Sequence, residues 1–89
     1  MSTRPYETLI VYSSTWCPDC RAAKAFLDEH DLDYELIEID EVPGAAERLE
    51  AETGKRGVPY FLLDGTRWER AYVPGRGFDR EGVRTLLGL

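Results

Sequence analysis

The sequence Thr-Trp-Cys-Pro-Asp-Cys-Arg at residues 15–21 decides the fold of this 89-residue chain. It contains both cysteines of the chain, Cys17 and Cys20, with two residues between them. The apolar, β-branched and aromatic run at residues 8–12 precedes it and predicts a buried strand. Apolar residues at helical spacing follow it and predict a helix over residues 18–29. We therefore expect the two cysteines where a strand passes into a helix.

The position of the cysteines in this helix predicts their chemical roles. Cys17 is expected at the N-cap and Pro18 at the first helical residue, where a missing N–H costs nothing. Free backbone N–H groups and the helix dipole would then favour the Cys17 thiolate. Cys20 lies one turn deeper, so we expect Cys17 to be the nucleophile and Cys20 the resolving thiol, close enough to form a disulfide. Asp19 has two effects of opposite sign on the reactivity of Cys17. Its negative charge disfavours the nearby thiolate, but near the start of the helix that charge interacts favourably with the helix dipole.

Two cysteines are also compatible with half of a zinc site, a structural disulfide or ordinary buried thiols. Zinc needs about four ligands, and His30 is the single histidine of the chain, so we expect no metal. A disulfide closing so short a loop would stabilise the fold little, because its entropic effect grows with loop length. The strand-to-helix context favours a redox-active pair.

The chain resembles the glutaredoxins, small members of the thioredoxin-fold family. The residues that carry the resemblance are Leu-Ile-Val-Tyr-Ser at 9–13, Cys-Pro-Asp-Cys at 17–20, Ala-Lys-Ala-Phe-Leu at 23–27 and Gly-Val-Pro at 57–59. The resemblance implies a single domain over residues 1–89 with an α/β thioredoxin-like fold, a four-stranded mixed sheet flanked by three helices. It also implies a thiol-disulfide oxidoreductase acting on protein disulfides or mixed disulfides. The co-substrate would be a low-molecular-weight thiol (glutathione, mycothiol or bacillithiol), with no bound cofactor.

The rest of the chain predicts three further strands and two further helices. They are expected at residues 34–39, 60–63 and 68–73 for the strands and at residues 44–52 and 78–87 for the helices. The crossover through the first helix makes the first two strands parallel. Asp64 and Gly65 form a hairpin signal, Gly54 should end the second helix, and Asp79 should cap the last one. Helices are expected on both faces of the sheet.

Four residues are candidates for substrate binding, two because they neighbour the cysteines in the sequence and two because the resemblance implies that they lie beside the cysteines. In glutaredoxins the bond that corresponds to Val58–Pro59 is cis and lies beside the active disulfide. Val58 would then offer its backbone N–H and C=O to an extended substrate. Trp16 is either an aromatic lip beside the nucleophile or a hydrophobic anchor for the loop, and Pro18 belongs to the same candidate surface.

Two positions depart from the usual glutaredoxin pattern. A lysine that pairs with a glutathione carboxylate usually stands three residues before the first cysteine, where this chain has Ser14. The usual Gly-Gly and paired acids that hold the γ-glutamyl end are replaced by residues 75–79, of which Gly77 and Asp79 match in part as substrate-binding residues. Two kinds of relative fit these departures. Mycoredoxins use other small thiols, and glutaredoxin-like electron donors to ribonucleotide reductase are reduced by thioredoxin reductase, a flavin and NADPH enzyme.

Composition bears on the partners. Seventeen acidic and eleven basic residues give a net charge of −6, which opposes binding to nucleic acid. No apolar run approaches the length of about eighteen residues that spans a bilayer, and residues 1–5 do not begin a signal peptide. We therefore expect a cytoplasmic monomer without a membrane partner.

An iron–sulfur carrier is the alternative function that stays open. In such a carrier Cys17 from two chains and two small thiols would hold a cluster, although Cys20 and Pro18 argue against it.

Overall fold

The computed structural model describes residues 5–89. Residues 1–4, on which the expectation about a signal peptide largely rests, lie outside that range. The strands are β1 Leu9–Ser13, β2 Glu35–Glu38, β3 Tyr60–Leu63, β4 Arg67–Arg70, β5 Tyr72–Val73 and β6 Gly77–Phe78, and the helices are α1 Pro18–Glu29, α2 Ala45–Thr53 and α3 Arg80–Leu87. None of the helices within residues 5–89 has both the length and the apolar character needed to cross a bilayer.

The main sheet has the strand order β2-β1-β3-β4. Strand β1 runs parallel to β2, with Val11 opposite Leu36, and antiparallel to β3, with Val11 opposite Phe61. Strands β3 and β4 form the predicted antiparallel hairpin. Every residue of β3 is buried, as expected for an inner strand. The four-stranded mixed sheet and the three helices of residues 5–89 confirm the predicted α/β architecture.

The two faces of the sheet are covered by different helices. Helices α1 and α3 contribute Phe26 and Val83 to a buried cluster that includes Val11 of β1. On the other face, Leu49 of α2 packs in a second cluster with Tyr12 of β1. Consecutive strand residues point to opposite faces, so β1 contributes to both cores and fixes the point from which α1 begins.

The predicted strand at residues 68–73 is wrong in its extent, because the chain leaves the main sheet at Ala71. This residue is fully buried. Its N–H donates to the Pro59 carbonyl at 3.1 Å, and its carbonyl accepts from the Asp79 N–H at 3.0 Å. The following strand β5 therefore pairs with β6 in a separate two-stranded sheet.

The last helix begins at Arg80, two residues later than predicted. Phe78 lies in β6 and packs against Phe26 of α1 with ring centroids 5.7 Å apart. Asp79 is the N-cap, and its side chain accepts from the Gly82 N–H at 3.1 Å, which confirms the predicted cap.

The boundaries of three other elements shift by one residue, and the first of these is β1, which runs over Leu9–Ser13 and not over residues 8–12. Helix α2 begins after Gly44, whose φ of 83° is left-handed and not helical. The same helix ends at Thr53, and Gly54, also left-handed, stops it as predicted. The strand predicted at residues 34–39 is shorter at each end.

Candidate active site

The N-terminus of α1 carries the two cysteines, as the sequence predicts. Cys17 is the N-cap with an extended backbone, and Pro18 opens the helix. The backbone N–H of Cys20 donates to Sγ of Cys17 at 3.3 Å. The sulfur of Cys17 thus takes the place of the side-chain oxygen of an ordinary capping residue and receives a free N–H of the first turn.

The loop between β1 and α1 is held by hydrogen bonds from two directions. The Cys17 N–H donates to the Ser14 carbonyl at 3.3 Å. The Thr15 N–H donates to Asp40 at 3.1 Å, and the Thr15 hydroxyl donates to the same carboxylate. The Thr15 hydroxyl holds the pKa of the Asp40 carboxyl below its usual range. These bonds tie the loop to the segment after β2 and so fix the position of Cys17.

Both cysteines are buried, and Cys20 is the more deeply buried of the two. Cys20 is fully buried, whereas Cys17 is 5% exposed. Burial, helped by a hydrogen bond to Cys17, raises the pKa of the Cys20 thiol from 9.0 to about 12. The Ser13 hydroxyl and the Ser14 backbone act in the opposite direction and lower the pKa of Cys20. Cys20 therefore remains a protonated thiol around neutral pH.

Val58 lies directly beside the nucleophile. The thiol of Cys17 donates to the Val58 carbonyl at 3.8 Å, an interaction between residues 41 positions apart in the chain. The Val58–Pro59 bond is cis, as the resemblance implies. Pro59 itself is fully buried, so it packs in the protein interior next to Val58.

An open groove of about 580 Å³ runs past Cys17. It brings together four of the predicted substrate-binding residues, Trp16, Pro18, Val58 and Gly77, and it does not include Pro59 or Asp79. Trp16 is 68% exposed, a position that suits an aromatic lip better than a buried anchor for the loop.

Asp79 is the predicted substrate-binding residue that departs most from the expectation. Its carboxylate is turned to the first turn of α3, where it accepts from the Gly82 N–H. A Cβ on Gly82 would collide with that carboxylate, which explains the glycine at this position. The Asp79 carboxylate is thus engaged as a helix cap and does not line the groove. The sequence indicated the cap but not that the cap would keep this carboxylate out of the groove.

Asp19 lies against Gly77 across the groove. A Cβ on Gly77 would be 2.9 Å from Oδ1 of Asp19, and Gly77 has a φ of 98°, so both space and backbone favour glycine there. The sequence did not predict this contact, because Asp19 and Gly77 belong to α1 and β6. It puts a carboxylate where the resemblance would put the γ-glutamyl end of glutathione.

Three further residues line the groove, and sequence reasoning had weighed Arg56 as a cation opposite a substrate carboxylate but had missed Gly57 and Arg76 as parts of the site. Gly57 lies under Tyr72, whose ring would collide with any Cβ at that position. Arg56 and Arg76 line the groove as cations, and Arg56 also makes an ion pair of 3.2 Å with Glu50. The cation of Arg56 and the glycine directly before the Val-Pro pair are the signals in the sequence that pointed to this region.

Comparisons with known proteins agree with this geometry. A family model described as glutaredoxin matches residues 9–68, which contain both cysteines and the Val58–Pro59 bond. The chain belongs to the glutaredoxin family. This glutaredoxin is 33% identical to the glutaredoxin-like protein NrdH of Escherichia coli K12 over 60 residues, which are 67% of its own chain and 73% of NrdH.

Solved structures extend the comparison to most of the chain. The glutaredoxin superposes on the NrdH-redoxin of Escherichia coli with a TM-score of 0.71 at 29% identity, covering 90% of its own chain and 95% of the other. It superposes on a buckwheat glutaredoxin–glutathione complex with a TM-score of 0.64 at 26% identity, covering 93% and 69%. The fold is therefore thioredoxin-like, and the protein is a thiol-disulfide oxidoreductase, as its family is.

Proposed function

We propose that this glutaredoxin reduces disulfide bonds in proteins by a dithiol route, in which Cys17 attacks and Cys20 resolves. The difference between the two sulfurs carries the proposal. Sγ of Cys17 borders the groove and receives the Cys20 N–H at 3.3 Å. The Cys20 thiol is fully buried and keeps its proton, because burial raises its pKa to about 12.

The reaction consists of two exchanges. The Cys17 thiolate attacks one sulfur of the substrate disulfide, a new sulfur–sulfur bond forms, and the other substrate sulfur leaves as a thiolate that takes up a proton. Cys20 then loses its proton and attacks Cys17, which releases the second substrate sulfur and leaves a bond between Cys17 and Cys20. One substrate disulfide is reduced by two electrons, and the dithiol of the enzyme is oxidised by two.

The backbone of Val58 gives the groove a means of binding an extended segment. Its carbonyl lies 3.8 Å from Sγ of Cys17, so a substrate chain hydrogen-bonded to Val58 would present its own cysteine to that sulfur. Trp16 on one rim adds apolar contact area. Backbone bonds of this kind do not depend on side chains, so the site suits several protein substrates.

Arg56 and Arg76 line the groove as cations, but the two positions that usually hold the glutathione carboxylates in glutaredoxins favour a protein reductase as the electron source. Ser14 is 1% exposed and provides no cation where glutaredoxins usually have a lysine. Asp79 caps α3, and the Asp19 carboxylate lies against Gly77, where it would repel the γ-glutamyl carboxylate. We therefore infer a flavin and NADPH disulfide reductase as the electron source.

The NrdH-redoxin of Escherichia coli has a thioredoxin-like activity profile, and the likeness to it supports this electron source. The relation to NrdH also makes ribonucleotide reductase one protein target to be tested. The enzyme needs both thiols reduced before each reaction. We therefore infer that it works in a compartment that keeps thiols reduced, such as the cytosol.

The test is a turnover assay with a protein disulfide substrate and two alternative electron sources. One arm supplies thioredoxin reductase and NADPH, and the other supplies glutathione, glutathione reductase and NADPH. We expect the first arm to be faster by about tenfold or more, which corresponds to a difference of roughly 1.4 kcal/mol in activation free energy.

Two isosteric variants examine the route itself. Cys17→Ser should abolish turnover in both arms, whereas Cys20→Ser should accumulate a mixed disulfide between Cys17 and the substrate, visible by mass spectrometry. Equal turnover by Cys20→Ser and the unaltered protein would exclude the dithiol route. A faster glutathione arm would instead show that the electron source is wrong while leaving the dithiol route intact.

A further inference from the structure

The hairpin of β5 and β6 lies beyond the part of the chain that matches the family. The glutaredoxin family model covers residues 9–68, and the hairpin covers residues 72–78. Its turn is closed by the Arg76 N–H, which donates to the Val73 carbonyl at 2.9 Å. Residues 72–77 all line the groove that runs past Cys17. One wall of the groove is therefore built by a segment that the family model does not include.

Contacts on both strands hold the hairpin against the site. The Tyr72 ring of β5 lies on Gly57, the residue before Val58. On the other strand, Gly77 lies against the Asp19 carboxylate. Both contacts are so close that a Cβ on either glycine would collide with the opposite side chain. The turn between the two strands is thus held at a fixed place beside the nucleophile.

Arg76 is an exposed cation in this turn. Six other basic side chains of residues 5–89 have a partner within the protein: Lys24, Arg56, Arg67 and Arg80 form ion pairs, and Arg48 and Arg70 lie over aromatic rings. Arg76 makes neither kind of contact with any residue that the structure describes. A guanidinium carries its N–H donors in a rigid fork that matches a carboxylate. The donors of Arg76 are therefore free to bind a carboxylate from outside.

The charge of the groove differs from that of the whole chain. The chain has a net charge of −6. Among the side chains that line the groove, apart from the thiol, Asp19 is acidic and Arg56 and Arg76 are basic. Arg56 is already paired with Glu50 at 3.2 Å. An acidic segment would thus be repelled by the protein as a whole and attracted by Arg76 beside the reactive sulfur.

We propose that Arg76 selects protein substrates in which an aspartate or glutamate lies next to the cysteine under attack. The inference rests on the proposed function and names the substrate class of that same site. Val58 binds the substrate backbone whatever its sequence, so a preference for particular sequences needs a side-chain contact such as this one. Arg76 would bind the substrate and not the reacting sulfurs, so it determines specificity and takes no part in the exchange itself.

The experiment measures reduction of synthetic peptides by the reduced protein in a single turnover, without any recycling system. Each peptide is closed by one disulfide, and the three peptides differ only in having glutamate, glutamine or lysine on both sides of each cysteine. Reaction is stopped by acid, and the peptide thiols are alkylated and counted by chromatography. Rates are divided by those for dithiothreitol, which gives the intrinsic reactivity of each disulfide.

The variants are Arg76→Gln, Arg76→Glu and, as a matched control, Arg84→Gln. Arg84 is an exposed cation of α3 that does not line the groove, so its loss changes the net charge of the chain by the same amount.

We expect the unaltered protein to reduce the glutamate peptide about fivefold faster than the glutamine peptide, which corresponds to about 1 kcal/mol. The preference is modest because Arg76 is exposed and Asp19 opposes a carboxylate. Arg76→Gln should bring the ratio of the two rates to about one, and Arg76→Glu should make the lysine peptide the fastest. Arg84→Gln should keep the preference for glutamate. Salt at about 0.5 M should weaken that preference, because exposed charges are screened.

Oxidised glutathione is a further substrate in the experiment, because its carboxylates could bind the same cation. We expect Arg76→Gln to slow its reduction much less than that of the glutamate peptide. Equal slowing of the two would mean that Arg76 serves a small thiol, which overturns the inference.

Two other results would also overturn it. The same ratio of rates in Arg76→Gln and the unaltered protein means that Arg76 does not contact the substrate. Loss of the preference in Arg84→Gln as well means that net charge, and not the hairpin, decides it. Failure of the unaltered protein to reduce any of the peptides would instead contradict the proposed function, and no variant is needed to see that result.

Discussion

At the scale of single residues, the site depends on close approaches that leave no room for a side chain. Gly77 is held against the Asp19 carboxylate with a left-handed φ of 98°. Gly75, two residues earlier in the same turn, also has a left-handed φ, of 80°, but none of the described residues lies within 4 Å of the position of its Cβ. Both glycines line the groove, so the pair separates the effect of the contact with Asp19 from the effect of a methyl group on a left-handed backbone.

Gly77→Ala should reduce both stability and activity. The left-handed backbone alone should lower the free energy of unfolding by about 1–2 kcal/mol, measured by urea denaturation. The new methyl group must also displace Asp19, next to both cysteines, so kcat/KM for a protein disulfide should fall roughly tenfold.

Gly75→Ala is the matched control for this prediction. It should show a similar loss of stability with kcat/KM unchanged. If the two variants lose activity equally, the contact between Asp19 and Gly77 has no part in the reaction.

At the scale of elements, the segment between β4 and α3 builds one wall of the groove. Strands β5 and β6 form a small hairpin that is anchored by Phe78 on Phe26 and by the hydrogen bond between Asp79 and Ala71. Helix α3 can start only after this hairpin, and Asp79 ends the hairpin and caps the helix. One residue thus joins the wall of the groove to the core.

Asp79→Ala should lower the free energy of unfolding by about 1 kcal/mol through loss of the N-cap, with kcat/KM nearly unchanged. Urea denaturation and the turnover assay measure the two effects. The reason is that the Asp79 carboxylate accepts from the Gly82 N–H and does not line the groove.

Asp79→Asn is the control, because asparagine caps helices about as well as aspartate. It should keep both stability and activity. A large loss of kcat/KM in Asp79→Asn with normal stability would show instead that the carboxylate binds substrate, as the resemblance first suggested.

At the scale of the whole molecule, the buried Cys20 links the stability of the reduced protein to pH. The pKa of Cys20 is raised to about 12 in the folded chain from 9.0. Below pH 9 both folded and unfolded chains carry the proton, so the full stability is present. Above pH 9 the unfolded chain releases the proton first, and stability falls as the pH rises towards 12.

Cys17→Ser isolates this effect, because burial, the main cause of the shift, remains in that variant. Compared with Cys17→Ser/Cys20→Ser, its free energy of unfolding should fall by up to about 1.4 kcal/mol per pH unit above about pH 9. Urea denaturation at a series of pH values measures the difference, and ionisation of the tyrosines cancels between the two proteins. Parallel curves for the two variants would show that Cys20 titrates as it does in an unfolded chain.

The sequence by itself determined the strand-to-helix junction, the N-cap position of Cys17 and the helix over Pro18–Glu29. These features arise from residues within one or two turns of each other, where apolar periodicity, a proline at the first helical position and free N–H groups act locally. The hairpin around Asp64 and Gly65 and the cap at Asp79 were predictable for the same reason. The resemblance added the cis bond at Val58, which a local pattern does not indicate.

Only the tertiary structure decided which residues surround the sulfurs. Packing brings Val58 to Cys17 across 41 positions. It ends β4 at Arg70, because the buried Ala71 bonds to Pro59 and Asp79 at once, and it turns Asp79 away from the groove. Each of these outcomes depends on burial and on hydrogen bonds between distant segments, whose free energy is set by the completed core and not by neighbouring residues.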